Sequence, residues 1–312
     1  GTTQYFVDAI NKTSKYVWVG DKSIPLTRST TVMAGGADDH SRSLAGLIPR
    51  FANAEMMDVN CVIAATNDVV EQKAYYDVSD TRGDCMTYVS PLMSDVVNAG
   101  GNELQNVLEW RTIETNRETS YAFNDSNWAL VYDKYNDTNR WIPCCGGTAG
   151  LWARTAQAYD PWISPAGHER GRYKNYIKLA WSPNKAQRDE LYKVAVNPIV
   201  SFPGEGTLLY GDKTSLSRPS AFGHINTRQA FIVAEKSIAN FAKQFLFELN
   251  DDFTRAAFVN AVRPFLRNMQ ARRAFEKFAV VVDERNNGPD IRAENKLVGA
   301  FYITPLYSIN FI

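Results

Sequence analysis

Short apolar segments alternate with segments of helical periodicity between about residue 58 and residue 196, and this alternation limits the chain to few folds. Apolar runs at 59–64, 84–89 and 127–132 predict strands, and the first is typical of a strand buried in a parallel sheet. Helices are predicted between and after these strands, at 69–76, 102–116, 146–158 and 184–194. Such alternation predicts a doubly wound α/β domain.

Two of these helices carry specific signals. Asn67 or Asp68 can cap the helix at 69–76. The helix at 102–116 is expected to turn four apolar side chains to one face: Leu104, Val107, Leu108 and Ile113.

A different pattern begins at Asn197, where two long amphipathic helices are predicted. Apolar side chains recur at spacings of three and four on the first, at Phe231, Ala234, Ile238, Phe241 and Phe245. The second repeats the pattern at Phe258, Val262, Phe265 and Met269. Pro264 should kink or loosen this second helix, and the polar run 250–252 should separate the two. Strands are expected at 207–210, 278–282 and 298–303.

Three regions follow from these patterns: 1–50, 51–196 and 197–312. The first is mixed, with short strands predicted at 4–7 and 16–19, a loop at 35–39 and a helix over 41–52. Because the chain starts at Gly1 with neither an initiator Met nor a signal peptide, we expect a piece of a longer protein with an N-terminal part missing.

Charge and composition argue against several classes of protein. Lys plus Arg and Asp plus Glu both number 34, so the formal net charge is zero and the basic excess of a nucleic-acid binder is absent. No apolar run reaches the length of about 20 residues that spans a bilayer. The four cysteines are predicted to be reduced, mostly buried thiols.

The sequence gives only weak support for a catalytic site or a metal site. A subtilisin-type hydrolase needs an Asp-His-Ser triad, but none of His40, His168 and His224 lies at a predicted strand-to-helix turn of the α/β core. At the nearest nucleophile-like element, Gly-Thr-Ala at 147–149, alanine replaces the serine. The glycines before the helix at 146–158 predict a tight turn into a closely packed helix and no dinucleotide loop. The polar turn at 133–139 lacks the Gly and Glu of a calcium loop, and Cys144 and Cys145 lack zinc-site spacing.

Ordered motifs carry a family resemblance from about residue 50 to the end of the chain. They are Pro-x5-Ala-Gly-x-x-Ala-Arg at 143–154, a Trp and Pro-Ala step at 162–167, Asn-Pro-Ile at 197–199, Gly-x4-Gly at 206–211, Asn-Thr-Arg-Gln at 226–229, Phe-Glu-Leu-Asn-Asp at 247–251, Asp-Glu-Arg-Asn-Asn at 283–287 and Pro-x5-Phe-Ile at 305–312. In this order they resemble the tail sheath proteins of contractile-tailed bacteriophages, especially T-even-type phages. Gln229 and Leu249 depart from the family's Arg and Pro.

The resemblance implies a fold with a subtilisin-like, doubly wound α/β domain without a triad, at 51–196, and an α+β C-terminal sheath domain with two long helices, at 197–312. It also implies a structural subunit that polymerises helically around the tail tube and contracts to drive the tube through the host envelope. No cofactor or metal is expected. The implied partners are other copies of the chain, the tail tube protein, and the baseplate and tail terminator proteins, in a virion assembled in the host cytoplasm.

Interface or fold-defining roles are expected for a small set of residues: Arg228, Glu248, Asp283, Phe301, Tyr302, Ile303 and Phe311. The terminal strand, apolar on both faces, either pairs at its edge with another chain or is an internal strand. Arginines at 255, 263, 267, 272 and 273 suggest a basic face on the second long helix, which meets acidic groups of another subunit or is simply solvated. Alternatives for the whole protein are a sheath subunit of a bacterial contractile injection or secretion system, a degenerate subtilisin-like hydrolase and a non-specific scaffold.

Overall fold

The structure, a computed structural model, describes residues 10–12 and 46–308. The chain divides into two compact units, 1–42 and 43–312. Of the first unit only residues 10–12 are described, and they are helical. The strands predicted at 4–7 and 16–19 and the loop at 35–39 lie outside the described residues. Of the helix predicted over 41–52, the described part contains a short 3-10 helix, Ile48–Ala52.

A three-stranded parallel sheet lies at the centre of the α/β region. Its strands are β1 (Cys61–Ala64), β2 (Met86–Val89) and β3 (Ala122–Asn124), in the order β1-β2-β3. The first two match the predicted strands at 59–64 and 84–89, whereas the three-residue β3 escaped prediction. Mixed α/β content is therefore confirmed. The reversal of strand order that defines a doubly wound sheet is not seen among the described strands.

Helices cover both faces of this sheet. They are α1 (Val69–Arg82), the short α2 (Met93–Val96), α3 (Glu103–Glu109), α4 (Cys145–Ala158) and α5 (Lys185–Lys193). Met86 and Tyr88 pack in one apolar cluster with residues of α4, whereas Val89 packs in a second cluster that includes Tyr76 of α1 and Trp110. All four β2 residues are buried, as expected for a parallel strand between two helical layers.

The first predicted helix is capped and longer than expected. Asp68 is the cap, since its side chain accepts a hydrogen bond from Val70 N at 2.8 Å. The alternative cap, Asn67, instead accepts from Met93 N at 2.6 Å. Helix α1 runs on past residue 76 to Arg82 and ends at Gly83, whose φ of 66° is left-handed.

The predicted single face of the helix at 102–116 is wrong at Ile113, which is 71% exposed. The α-helical part ends at Glu109, and Trp110–Thr115 forms a π-helix. The extra residue in a π turn rotates the following side chains about the helix axis. Trp110 and Arg111, the first two residues of the π-helix, are buried.

An antiparallel sheet stands beside the parallel one, in the order β5-β4-β6. Its strands are β4 (Trp128–Asp133), β5 (Thr138–Pro143) and β6 (Lys178–Leu179). The predicted strand at 127–132 is β4. The polar turn at 133–139 connects it to β5.

The C-terminal region contains two hairpins and two long helices. The strands β7 (Ile199–Phe202) and β8 (Gly206–Leu209) form one hairpin; helices α6 (Ile225–Lys243) and α7 (Asp252–Ala271) follow; the strands β9 (Phe275–Val281) and β10 (Ala300–Pro305) pair around a short helix α8 (Pro289–Ala293). A short 3-10 helix, Ala221–Gly223, precedes α6.

Both long helices are confirmed, with one correction. Phe245 lies beyond the end of α6, although its ring still packs edge-on against Phe258 at 5.4 Å. Pro264 lies inside helix α7 and is exposed, and the helix packs through Val262 and Leu266.

No helix among the described residues is long and apolar enough to cross a membrane. All four cysteines, Cys61, Cys85, Cys144 and Cys145, are free thiols. The prediction of reduced, mostly buried thiols is therefore confirmed.

Candidate assembly interface

The terminal hairpin contains three of the predicted interface residues. Strands β9 and β10 are antiparallel, with Phe301 opposite Val280, Tyr302 opposite Ala279 and Ile303 opposite Phe278. Phe301 and Ile303 pack against the apolar cluster of the two long helices, whereas Tyr302 is 63% exposed. One face of this sheet therefore rests on the helices and the other is turned outward.

The sheet contains only two strands within the described part of the chain, so each strand has one edge without a neighbouring strand there. Main-chain N–H and C=O groups along such an edge need a hydrogen-bonding partner, either water or another strand. The terminal strand is thus an edge strand in the described structure. Phe311, the remaining predicted residue of this segment, lies outside the described residues.

Arg228, at the start of α6, is buried and directed into its own chain. Its guanidinium donates to Ser120 Oγ at 2.7 Å and to the Tyr121 hydroxyl at 3.2 Å. It also lies over the ring of Phe222, 3.8 Å from the ring centre. Burial lowers the pKa of Arg228, because the charged form loses hydration. These contacts join α6 to the segment before β3, a geometry that suits a fold-defining role.

Glu248 lies in the turn between α6 and α7, and the turn protrudes. Leu246, Phe247 and Leu249 are 62%, 104% and 79% exposed. Phe247 has a φ of 69°, a conformation that is costly for a bulky residue. Glu248 is exposed, and no ion pair of its carboxylate is found among residues 46–308. The apolar side chains of this turn therefore do not pack into the interior of the described structure.

Asp283 shapes the turn after β9. Its carboxylate accepts hydrogen bonds from Arg285 N and from the Arg285 guanidinium, the shortest at 2.6 Å. The Arg285 side chain lowers the pKa of Asp283. The main-chain oxygen of Asp283 accepts from Asn287 N at 3.0 Å, and the buried Asn287 in turn bonds Val298. The described contacts of Asp283 are local.

The basic face predicted on the second long helix does not exist as one surface. Arg255 is buried and paired with Asp252 at 2.5 Å. Arg272 folds back to contact Asp160 and the ring of Trp162. Arg263, Arg267 and Arg273 are exposed. The sequence spacing could not show that Arg255 and Arg272 have partners within the chain.

The two described histidines lie beside carboxylates at separate places in the structure. His224 Nδ1 lies 3.2 Å from Asp212, and Ser308 donates to the other oxygen of the same carboxylate at 2.5 Å. His168 pairs at the surface with Glu205. His40 lies outside the described residues.

The elements considered above as dinucleotide, calcium or zinc sites have structural roles or form no site in the described residues. Gly147 lies against the rings of Tyr173 and Tyr176, so the glycine-rich start of α4 is a close-packing device as predicted. The turn after β4 is a hairpin loop in which Asp133 pairs with Arg140 at 3.0 Å. Within residues 10–12 and 46–308, no cluster of three or more metal-ligating side chains is found.

Sequence reasoning missed a buried carboxyl group at the carboxyl end of the parallel strand β3. Asp125, directly after β3, is fully buried and accepts from the Ser90 hydroxyl, whose Oγ lies 2.9 Å from both carboxylate oxygens. Asn127 N donates to it at 3.1 Å. Burial raises the pKa of Asp125 to about 7 despite these bonds. Because β3 itself was not predicted, no local signal in the sequence indicated this aspartate.

A basic cleft lies between the C-terminal half of α4 and the segment 168–174. Its volume is about 330 Å³. The lining includes four cationic side chains and one carboxylate, from Arg154, Arg170, Arg172, Lys174 and Glu169, together with Thr155, Ala158, Tyr159 and His168. Of these, the sequence analysis named only Arg154, the last residue of the motif at 143–154, and His168, which it considered as a triad histidine.

Two family models match the chain. The phage tail sheath protein central domain matches residues 29–215, and the phage tail sheath C-terminal domain matches residues 217–312.

Curated relatives are similar across the chain. The tail sheath protein of Salmonella phage ViI is 45% identical over 312 residues, which is 100% of this chain and 49% of that protein. The tail sheath protein of Enterobacteria phage T4 is 38% identical over 299 residues, 90% of this chain and 45% of that protein. The chain thus spans about half the length of the curated relatives it matches.

Solved structures share the fold. The baseplate structure of the anti-feeding prophage contains a chain with a TM-score of 0.70 at 15% identity, covering 89% of this chain and 72% of that one. The contracted sheath complex of an extracellular contractile injection system, PVC, gives 0.68 at 18% identity, covering 82% and 70%.

Proposed function

Because this chain belongs to the phage tail sheath family, we propose that it forms a structural subunit of a contractile tail sheath. Copies of the protein polymerise helically around the tail tube, and contraction of the polymer drives the tube through the host envelope. The terminal two-stranded sheet is the observation that carries the proposal, since it offers strand edges beside an outward face.

Strand addition explains how such copies are linked. A strand from a terminal segment of a neighbouring copy extends the β9–β10 sheet and satisfies the main-chain groups along its edge. The long helices support the sheet from behind through Phe301 and Ile303. A rigid backing of this kind keeps the edge in place while force passes through it.

Contraction needs no catalytic residue or cofactor in this proposal, and the protein is not an enzyme. The work comes from interfaces that differ in free energy between an extended and a contracted arrangement. Many identical contacts in one lattice change together, and the released free energy moves the tube.

The division of labour follows the three regions 1–50, 51–196 and 197–312. The C-terminal region is proposed to contain the tube-facing and strand-exchange surfaces. The α/β region, with a subtilisin-like winding and no triad, is proposed to lie further out and to tune stability. Helices on both faces of its parallel sheet support this winding.

The proposed partners are other copies, the tail tube protein, and the baseplate and tail terminator proteins, in a virion whose tail is assembled in the host cytoplasm. The fold shared with a baseplate-associated chain of the anti-feeding prophage supports the baseplate contact. The fold similarity to PVC makes a bacterial contractile injection system the second candidate. Dependence on a recycling ATPase or the genomic neighbourhood separates the two.

Negative-stain electron microscopy of the full-length protein tests the proposal. Long hollow helical tubes at high concentration, or tubes formed around added tail tube protein, are the expected result. Monomers under both conditions would contradict it. A serine-directed probe is the parallel test for the hydrolase alternative, and labelling would favour that alternative.

A further inference from the structure

The basic cleft is preformed. Arg154 donates from its guanidinium to the main-chain oxygens of Arg170 and Arg172, at 2.7 and 3.0 Å, and so holds the far wall of the cleft. The same wall is attached to β8, since Tyr173 N donates to Thr207 O at 2.9 Å. A cleft bounded by hydrogen-bonded main chain keeps its shape without a ligand.

Its positive charge is largely uncompensated. Glu169 is the one carboxylate of the lining, and it accepts from the Tyr159 hydroxyl at 2.8 Å. In the part of the chain that the structure describes, no ion pair involves Arg154, Arg172 or Lys174. Arg172 and Lys174 are exposed. The chemistry that fits is a carboxylate with an apolar neighbour, because Tyr159 and Ala158 supply an apolar side.

The turn between the long helices carries that chemistry. We define the acidic knob as residues 246–253, in which Glu248 is flanked by Phe247 and Leu249. The C-terminal half of the knob is fixed: Asn250 Nδ2 donates to Lys296 O at 2.8 Å, and Asp251 caps α7 by accepting from Thr254 N at 2.8 Å. The tip therefore has a defined shape while its apolar and acidic side chains are exposed.

We propose that the basic cleft of one copy binds the acidic knob of a second copy, with Glu248 facing Arg172 and Lys174. The inference rests on the proposed function, and it names one contact of the lattice. Both surfaces are exposed within one chain, so the knob does not fill its own cleft. Two different patches that meet between copies make a heterologous contact, the type that generates open helical assemblies.

Charge exchange tests the pairing in the full-length protein. Arg172→Glu and Glu248→Arg are each expected to raise the concentration needed for polymerisation on the order of tenfold or more, since like charges then face each other. The double variant restores opposite charges and should polymerise at a concentration close to that of the unmodified protein. Pelleting assays and electron microscopy measure the polymer, and thermal melting shows that each variant is folded.

Matched controls are Arg218→Glu and Glu55→Lys, exposed residues of the same charge outside both surfaces. They should polymerise normally. Single variants that polymerise like the unmodified protein would overturn the inference and leave the proposed function intact. A double variant no better than the worse single variant would also overturn it, as would knob variants that form normal polymers but no longer enclose a tube. Failure of the unmodified protein to polymerise would contradict the proposed function itself.

Discussion

The interior around Asp125 and the acidic knob have opposite distributions of polar and apolar groups. Asp125 and Ser90 are at most 1% exposed and are hydrogen-bonded to each other, although both are polar. In the knob, Phe247 is 104% exposed and Phe253 is 81% exposed, although both are apolar. Buried polar groups are stable where each one has a hydrogen-bond partner. Large apolar groups that stay exposed indicate a surface that binds another molecule. The first region thus specifies the fold and the second is available for assembly.

Of the substitutions that test this comparison, Trp110→Ala should lower the free energy of unfolding the most. Trp110 is fully buried, and its indole N–H donates to Gln72 Oε1 at 2.8 Å. Its removal leaves a cavity and an unpaired amide, so we expect a loss of about 3–5 kcal/mol in the free energy of unfolding. Urea denaturation measures it. An unchanged midpoint would show that the interior is not close-packed at this point.

Asp125→Asn should change the pH dependence of stability. The folded pKa of Asp125, about 7, lies above the unfolded value near 3.8, so the folded state binds the proton more tightly. Stability from this group is present at low pH and falls as pH rises from about 4 to 7, by on the order of 4 kcal/mol at most.

The Asp125→Asn variant has no carboxyl group to ionise at this position. Its free energy of unfolding should therefore fall less than that of the unmodified protein between about pH 4 and 7. Denaturant titrations at several pH values give the comparison. Asp283→Asn is the control, because Asp283 is partly exposed and its pKa is lowered. Equal slopes for the Asp125 variant and the unmodified protein would contradict the ionisation assigned here.

Gly171→Ala should destabilise the wall of the basic cleft. A Cβ at Gly171 would lie 2.6 Å from Gly167 O and 2.9 Å from Leu209 O, both main-chain atoms that cannot turn away. We expect a loss of about 1–3 kcal/mol. Gly150→Ala is the matched control: nothing lies within 4 Å of its Cβ position and it is helical, so a gain of about 0.5–1 kcal/mol is expected. Thermal melting distinguishes the two, and similar shifts would contradict the close approach.

Phe247→Asn should give the smallest effect on folding. The side chain is exposed and the φ of 69° suits asparagine better than phenylalanine, so stability should change by no more than about 0.5 kcal/mol. Polymerisation, by contrast, should weaken. A melting temperature that drops as for a core substitution would show that the knob stabilises the monomer. The knob would then no longer differ from the interior around Asp125 in its role.

Local signals in the sequence were sufficient for most elements of the fold. The stripe on α6 and the buried run of β2 were predictable, because helical periodicity and continuous apolarity are properties of neighbouring residues. Strand β5 was missed because its first three residues, 138–140, are exposed and polar. Ile113 was misplaced because a π-helical turn has no recognised local pattern.

The residues of the candidate surfaces also divide into those that the sequence indicated and those that only packing brings together. Glu248 and Arg154 each belong to a short motif whose residues are close together in the chain. The remaining cations of the cleft come from the separate segment 168–174, which no motif connects to α4. The inward orientation of Arg255 and Arg272 also depends on partners that packing alone brings close.

The sequence by itself determined the strand–helix alternation, the two amphipathic helices and the ordered motifs of the sheath family, since each is written in short-range spacing. Only the tertiary structure decided that Asp125 is buried at a pKa near 7, that Arg228 is turned into its own chain and that four cations share one cleft. The reason is physical: burial and electrostatic environment arise from residues far apart in the chain, and they exist only after long-range packing has brought those residues together.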